Sequence, residues 1–255
     1  MIFDTHAHYD DEAFDEDRGI LLSSMKSSGI GNIVNIGADM KSSQVSIELA
    51  SEYDFIYAAV GVHPSEVEEL TDEHMDELEK WAALDKVVAI GEIGLDYHYP
   101  DTDKVLQKKW FVKQLEVAAK VKLPVVIHSR DAAKDTLDIM KEHEADEIGG
   151  VVHCYSYGVE MAREYLDMGY YFGIGGVVTF TNSKKLKEVV SYLPLDKIVL
   201  ETDCPYLSPV PNRGKRNSSL NLPYVVSAIA DIKQISEEEV IEATTKNAFD
   251  LYRIK

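Results

Sequence analysis

The chain alternates between short apolar runs and longer segments that carry apolar residues on one face. Apolar, β-branched runs bounded by turn residues predict eight buried strands, at "MIF", "NIVNIG", "FIYAAVGV", "VVAIGEIG", "PVVIHS", "GVVHCY", "YYFGIGG" and "KIVLETD". Between them, apolar residues recur three or four positions apart, as at Met75 and Leu78 or at Phe111 and Leu115. This spacing predicts amphipathic helices, so strands and helices are expected to alternate along the whole chain.

Such an alternation predicts an α/β fold with parallel strands. About eight strand–helix units in 255 residues fit a closed (β/α)8 TIM barrel, and an open doubly wound sheet is the alternative. The chain has no GxGxxG after its first predicted strand and no P-loop, which are the usual nucleotide signatures of open sheets. No linker-like segment divides the sequence. We therefore expect one barrel domain over residues 1–255, with an additional helix from Glu237 to Ile254 packed on it.

Composition excludes several classes of protein. The formal net charge of -19 argues against a broad basic surface for nucleic acid, so any phosphate site must be local. No apolar stretch approaches the roughly 20 residues that cross a bilayer, and we expect no membrane association. The only cysteines, Cys154 and Cys204, do not form a CxxC motif, and packing is their expected role. So few cysteines fit a reducing compartment, and we expect a cytoplasmic protein.

Polar residues stand at or just beyond the carboxyl ends of six predicted strands: His6 and His8, His63, Glu92, His128, His153 and Asp203. In a barrel these ends converge on one face, so residues far apart in sequence meet in one pocket. His6 and His8 are two positions apart and can face the same metal ion. Burying so many polar groups without partners would cost several kcal/mol each, whereas divalent cations would compensate the carboxylates. The combination predicts a metal site, while His74, His98 and His143 are expected on the surface.

These residues belong to motifs that resemble a known family. The segments "DTHAH", "GVHP", "GEIGLDYH", "LPVVIHSRDA", "HCYS", "FTNSKKL" and "ETDCPYLSP…RGKRN" have the order and spacing of TatD-type metal-dependent deoxyribonucleases, a branch of the amidohydrolase superfamily. The resemblance spans essentially the whole chain, and "GEIGLDY" with "ETDCPYL" is its most specific part. Where relatives typically continue "RGKRN" with Glu-Pro, this chain reads Asn217, Ser218, Ser219 and Leu220.

The resemblance implies two divalent metal ions. His6, His8 and Asp203 would bind the first, His128 and His153 the second, and Glu92 would bridge them. Two cations sharing Glu92 would hold a bridging hydroxide for hydrolysis. Asp203 is then the expected proton acceptor, and His63 is expected to contact phosphate oxygens unless it only shapes the turn before Pro64. The histidine ligands suit Zn, Mn or Fe better than Mg, whereas the family is usually described as Mg-dependent.

Basic residues in a loop indicate the substrate. Arg213, Lys215 and Arg216 follow the eighth predicted strand, where this fold often binds phosphate. With the resemblance, they imply DNA as substrate and a 3′–5′ exonuclease that prefers single-stranded or frayed ends. The alternatives are an amidohydrolase or lactonase that cleaves C–N or C–O bonds of a small molecule, and a metal-containing binding protein without catalysis. The sequence gives no indication of protein partners.

Overall fold

The computed structural model describes residues 1–255, and its strands form one parallel barrel. The strands occur in the order β1 to β8, each paired with the next. Their bounds are β1 Ile2–Ala7, β2 Ile30–Ile36, β3 Ile56–Val60, β4 Val87–Asp96, β5 Val125–Arg130, β6 Gly150–Val152, β7 Tyr171–Ile174 and β8 Ile198–Leu200. All eight predicted strands are present, and the predicted (β/α)8 barrel is confirmed over the open doubly wound sheet.

The barrel closes between β1 and the segment that follows β8. Ala7 forms a parallel bridge with Cys204. The Asp203 amide donates to the His6 carbonyl over 2.9 Å, and the His8 amide donates to the Cys204 carbonyl over 2.9 Å. The closure therefore lies at the carboxyl ends of the two strands, and it places His6, His8 and Asp203 side by side.

Helices surround the barrel. Their bounds are α1 Arg18–Ser24, α2 Met40–Glu52, α3 Asp72–Trp81, α4 Lys104–Val121, α5 Ala133–Glu142, α6 Ala145–Ile148, α7 Val159–Asp167, α8 Lys184–Tyr192, α9 Leu222–Lys233 and α10 Glu237–Tyr252. The predicted C-terminal helix is α10, and its Tyr252 hydroxyl donates to the Thr5 carbonyl inside β1 over 2.8 Å. None of these helices combines the length and the apolar character that crossing a bilayer requires.

Inside the barrel, the inward-facing side chains are apolar at the amino ends of the strands, called the lower end here, and polar at the carboxyl ends, called the upper end. One small buried cluster joins interior strand residues to Leu251 and Tyr252 of α10, which close the lower end. Strand side chains alternate between faces, so residues two positions apart point the same way. The interior valines Val126, Val151 and Val199 are each followed two positions later by a polar residue, respectively His128, His153 and Glu201. The polar side chains thus lie directly above a layer of apolar side chains inside the barrel.

One glycine allows β4 and β5 to approach each other at the site. Gly94 has φ 145°, and a Cβ atom there would lie 1.9 Å from the His128 carbonyl oxygen.

We expect Gly94→Ala to lower the free energy of unfolding by about 1–3 kcal/mol, because the strands must move apart. Gly19→Ala is the matched control, since Gly19 lies in α1 and its nearest atom is 3.9 Å away. That control should be neutral or stabilising by up to about 1 kcal/mol. Urea unfolding measures both, and equal stabilities would contradict the strand-contact argument.

Candidate metal centre

The upper end of the barrel brings all six predicted ligand residues together. Glu92 lies at the middle, with its Oε1 2.6 Å from His128 Nδ1 and 2.6 Å from His153 Nε2. Its other oxygen, Oε2, lies 3.4 Å from His6 Nε2. On the same side His6 Nε2 lies 3.1 Å from His8 Nε2, and Asp203 Oδ1 lies 3.4 Å from His8 Nε2. The two oxygens of one carboxylate therefore face two separate groups of imidazoles.

His63 lies at the edge of this cluster. Its Nε2 is 3.9 Å from Glu92 Oε1, and its ring packs edge-on against that of His128 with centroids 4.3 Å apart. His63, Glu92 and His128 could by proximity hold an ion of their own. The contacts of Glu92 with His128 and His153 are shorter by more than 1 Å, which favours His153 over His63 in the second group.

Hydrogen-bond partners orient three rings and determine the neutral tautomer of two of them, His8 and His63. The Ile36 carbonyl, which can only accept, is 2.9 Å from His8 Nδ1, so Nδ1 carries a proton and the neutral ring has its lone pair on Nε2. At His128 a carboxylate faces each nitrogen, Asp96 Oδ2 at 3.1 Å from Nε2 and Glu92 Oε1 at 2.6 Å from Nδ1, so a cation beside Glu92 would leave the proton on Nε2 and the lone pair on Nδ1. The Ser65 amide donates to His63 Nδ1 over 3.1 Å, which places the proton of neutral His63 on Nε2.

The carboxylates of the cluster attract positive charge onto the neighbouring rings. Burial opposes ionisation of Glu92, but His153 and the hydrogen-bonding imidazoles outweigh it and lower the pKa of this carboxyl well below its usual range. Burial lowers the pKa of His8, yet Asp203 overcomes this and raises it to about 9. In the same way Glu92 raises the pKa of His153 to about 10 against the effect of burial. Burial and the neighbouring His153 instead lower the pKa of His6 to about 4.

The donor set fits divalent metal ions. The free ring nitrogens of His8 and His128 face carboxylate oxygens, and two lone pairs repel unless a proton or a metal ion lies between them. Neutral imidazoles and carboxylates are usual ligands of Zn²⁺ and Mn²⁺. The atoms of His6, His8 and Asp203 lie close enough to share one ion. The residues present therefore match the chemistry that a metal-dependent hydrolase needs.

A cleft of about 530 Å³ opens above the cluster. Its walls include the cluster itself and Ser65, Tyr99, Arg130, Asp10 and Asp11. A second groove, of about 550 Å³, contains Arg213, Lys215 and Arg216. Asp11 and Tyr206 line both, so the two spaces are neighbours across these side chains. The Tyr206 hydroxyl donates to Asp11 Oδ2 over 2.9 Å at this boundary.

Comparison with known proteins identifies the family. A family model described as TatD related DNase matches residues 3–253. The chain belongs to this family. The uncharacterised metal-dependent hydrolase YabD of Bacillus subtilis is 44% identical over the full length of both chains. The uncharacterised metal-dependent hydrolase YcfH of Escherichia coli is 34% identical and covers 100% of this chain and 96% of its own.

Solved structures agree with this assignment. The TatD homologue YjjV of Escherichia coli superposes with a TM-score of 0.94 at 29% identity, covering 100% of this chain and 98% of its own. A TatD-family hydrolase of Entamoeba histolytica gives a TM-score of 0.88 at 25% identity, over 98% of this chain and 97% of its own. The protein is a metal-dependent hydrolase of the TatD family.

The three basic residues predicted to bind substrate in this TatD-family protein differ from one another in their surroundings. Arg216 forms two hydrogen bonds to Asp17, at 2.6 and 2.8 Å, and lies over the Phe14 ring. The Arg213 guanidinium stacks on Phe180 with 4.0 Å to the ring centroid. Lys215 is exposed and forms no salt bridge. Of the three, Arg216 is the one already held by an acidic partner.

Sequence reasoning missed the polar residues behind the cluster, namely Asp4, Asp96 and Glu201. Asp96 and Glu201 stand an even number of positions from a predicted ligand on the same strand line, Asp96 four after Glu92 and Glu201 two before Asp203. Strand periodicity could therefore have found these two. No local pattern signals Asp4, since its partners are distant in sequence.

Asp4 ties the segment before Asp203 to β1. Its carboxylate is fully buried and accepts from the Thr202 hydroxyl at 2.7 Å, the Thr202 amide at 3.1 Å and the Ser219 hydroxyl at 2.6 Å. Burial raises the pKa of Asp4 to about 6 despite these donors. Ser219 belongs to the segment that departs from the typical family sequence, and it supplies a hydroxyl donor at this point.

Tyr9 completes this network. Its hydroxyl lies 2.8 Å from Ser219 Oγ and accepts from the Ser219 amide over 2.9 Å.

We expect Tyr9→Phe to lower the free energy of unfolding by about 1–3 kcal/mol, because a buried amide then loses its acceptor. Tyr165→Phe is the matched control, since Tyr165 is equally buried but its hydroxyl has no partner. The control should be neutral or stabilising in urea unfolding, and similar losses in both variants would contradict the hydrogen-bond argument.

Proposed function

We propose that this protein hydrolyses DNA phosphodiesters with two divalent cations. The observation that carries the proposal is the arrangement of the surface: the cleft above the carboxylate–imidazole cluster borders the groove that holds Arg213, Lys215 and Arg216. A reactive phosphate in the cleft and the neighbouring phosphates along the groove match the shape of a nucleic acid strand. The family description as TatD related DNase supports the same substrate.

The two cations would be held on either side of Glu92. His6, His8 and Asp203 would bind one, and His128 Nδ1 with His153 Nε2 the other, each with one oxygen of Glu92. When bound, such cations lower the pKa of water and stabilise charge that develops on phosphoryl oxygens. Mg²⁺, Mn²⁺ and Zn²⁺ are all compatible with this donor set. Reloading metal-free protein with each ion in turn identifies the one that supports hydrolysis.

Three side chains have proposed roles in the chemistry. Glu92 orients both groups of imidazoles and carries the negative charge between them. Asp203 has a side chain that is 19% exposed, against 5% for Glu92, so it can reach the cleft. We propose that Asp203 accepts the proton from the attacking water and later donates it to the leaving oxygen. His63 is neutral, because burial lowers its pKa to about 4, and its Nε2–H can donate to a non-bridging phosphate oxygen.

The mode of cleavage is the finer part of the proposal. Removal of nucleotides from a 3′ end rests on the family resemblance. Tyr99 and Tyr206, which are 59% and 56% exposed at the cleft, offer surfaces on which unpaired bases can stack. This favours single-stranded or frayed ends. A cytoplasmic location stays a prediction, consistent with Cys154 and Cys204 being free thiols.

Hydrolysis of end-labelled DNA tests the function directly. Single- and double-stranded oligonucleotides labelled at either end are incubated with protein that has been stripped of metal and reloaded with Mg²⁺, Mn²⁺ or Zn²⁺. Stepwise loss of nucleotides from the 3′ end of the single strand is expected. Turnover of lactones or cyclic amides without DNA cleavage would instead favour an amidohydrolase, and metal binding without any hydrolysis would favour a non-catalytic protein.

Glu92→Gln tests the bridging carboxylate. The change keeps the volume and removes the charge, so both cation sites should weaken together and DNA hydrolysis should fall by several orders of magnitude. The apolar core is untouched, but Glu92 also pairs with His128 and His153 when no metal is bound, so the melting temperature should fall below that of metal-free wild type. Glu188→Gln, on the exposed side of α8, is the control and should behave as wild type. Full metal content with normal hydrolysis in Glu92→Gln would refute the two-cation mechanism.

Lys215→Ala and Arg216→Ala separate phosphate binding from loop structure. Lys215 has no acidic partner, so its loss should raise KM for oligonucleotides and flatten the dependence of KM on salt. Arg216 is bound to Asp17, and its loss should mainly destabilise the loop. Kinetics at several salt concentrations, with a p-nitrophenyl phosphodiester as the minimal substrate, measure both. Equal losses on DNA and on the minimal substrate for Lys215→Ala would contradict a backbone contact.

A further inference from the structure

Three buried polar atoms near the cluster have no hydrogen-bond partner: His6 Nδ1, His153 Nδ1 and Glu201 Oε2. The same three residues offer ligand atoms that all lie within 4.8 Å of one another. An isolated buried donor or acceptor costs about 1–3 kcal/mol, so three such atoms in one place call for a common explanation.

The two rings are aligned. His6 and His153 stack with centroids 4.0 Å apart and an interplanar angle of 12°. Both direct Nε2 to Glu92, at 3.4 and 2.6 Å. Their Nδ1 atoms therefore lie on the ring edges away from Glu92, and Glu201 is the acidic residue that groups with the two rings.

The Glu201 carboxylate is held in place from two directions. Its Oε1 accepts from the Cys154 amide over 2.6 Å, which leaves Oε2 as the free acceptor. A Cβ atom at position 173 would lie 2.0 Å from Oε2, so Gly173 provides the space that this oxygen occupies. Glu201 is only 1% exposed, so it is held inside the barrel.

The other two proposed imidazole ligands each have a second partner of their own. His8 donates Nδ1–H to the Ile36 carbonyl, and His128 has Asp96 at its Nε2. Imidazoles that bind metals almost always donate the remaining N–H to a carbonyl or carboxylate, which orients the ring and fixes its tautomer. Only His6 and His153 lack such a partner within hydrogen-bond distance.

We propose that Glu201 is a positioning residue whose Oε2 accepts the Nδ1–H groups of both His6 and His153. This inference rests on the ligand assignment of the proposed function. The shared acceptor keeps both Nε2 lone pairs directed at the cations. Because His6 belongs to one cation site and His153 to the other, a single carboxylate couples the two sites, as Glu92 does from the opposite side.

Glu201→Gln gives a sharp test because an amide has one acceptor oxygen. The Cys154 amide takes that oxygen, so the NH₂ group faces the two rings and cannot accept from Nδ1–H. In Zn²⁺-loaded protein the Nδ1 protons of both rings should then lose their acceptor and exchange faster with solvent, which NMR of ¹⁵N-labelled imidazoles detects. The affinities of both sites for Zn²⁺ should fall about 10–100-fold.

Asp96→Asn is the matched control, because it changes the second partner of His128 alone. It should alter the His128 signals and weaken only the site that contains this ring. Glu201→Gln should leave the signals of His8 and His128 unchanged. Unaltered exchange of the His6 and His153 Nδ1 protons, with unaltered Zn²⁺ affinity in Glu201→Gln, would overturn the proposal.

Wild-type protein gives an independent measurement that does not depend on how the variant folds. Zn²⁺-loaded wild type should show two slowly exchanging, strongly deshielded Nδ1 protons, on His6 and His153. Rapid exchange of either proton with solvent would refute the shared acceptor. Neither readout requires DNA cleavage. Two such protons without nuclease activity would refute the proposed function alone, and nuclease activity without them would refute this inference alone.

Discussion

The buried negative charge of Glu92 is the constraint on which the upper end of the barrel depends. This carboxylate is 3% exposed and has imidazole nitrogens within 3.4 Å of both its oxygens. Burying a carboxylate alone would shift its pKa upward and neutralise it. Here the surrounding rings reverse that effect, and the group stays ionised. The β4 strand that carries Glu92 lies between β3 and β5, so the charge is held by the barrel itself.

The barrel also supplies the second layer of contacts that makes the imidazoles useful as ligands. The Ile36 carbonyl of β2 orients His8, and Asp96 of β4 orients His128. Both partners are backbone or strand groups with little freedom to move. In this arrangement each ring is oriented before any ion binds, which reduces the ordering that metal binding must impose.

Charge explains why cations are central to the proposed reaction. The protein carries a net charge of -19, and the cleft itself is lined by Asp10, Asp11, Asp96 and Asp203. A polyanionic strand is repelled by such a surface unless divalent ions offset the acidic groups. The adjacent groove with Lys215 supplies local positive charge next to this acidic cleft. If DNA is the substrate, its phosphates are therefore expected to bind at the cleft and its basic neighbour, and the local phosphate site stays a prediction.

The sequence by itself determined the strand and helix order and the set of polar residues at the carboxyl ends of the strands. These features are local: apolar runs, period-two alternation and turn residues act over a few positions, and the barrel follows from their repetition. Tertiary structure decided which nitrogen of each histidine faces the centre, because Ile36 lies 28 residues from His8 and Asp96 lies 32 residues from His128. It likewise decided that Arg216 is held by Asp17, 199 residues away, and that Ser219 bonds to Asp4 across 215 residues. Such contacts leave no local pattern, since only the closed barrel brings their partners within bonding distance.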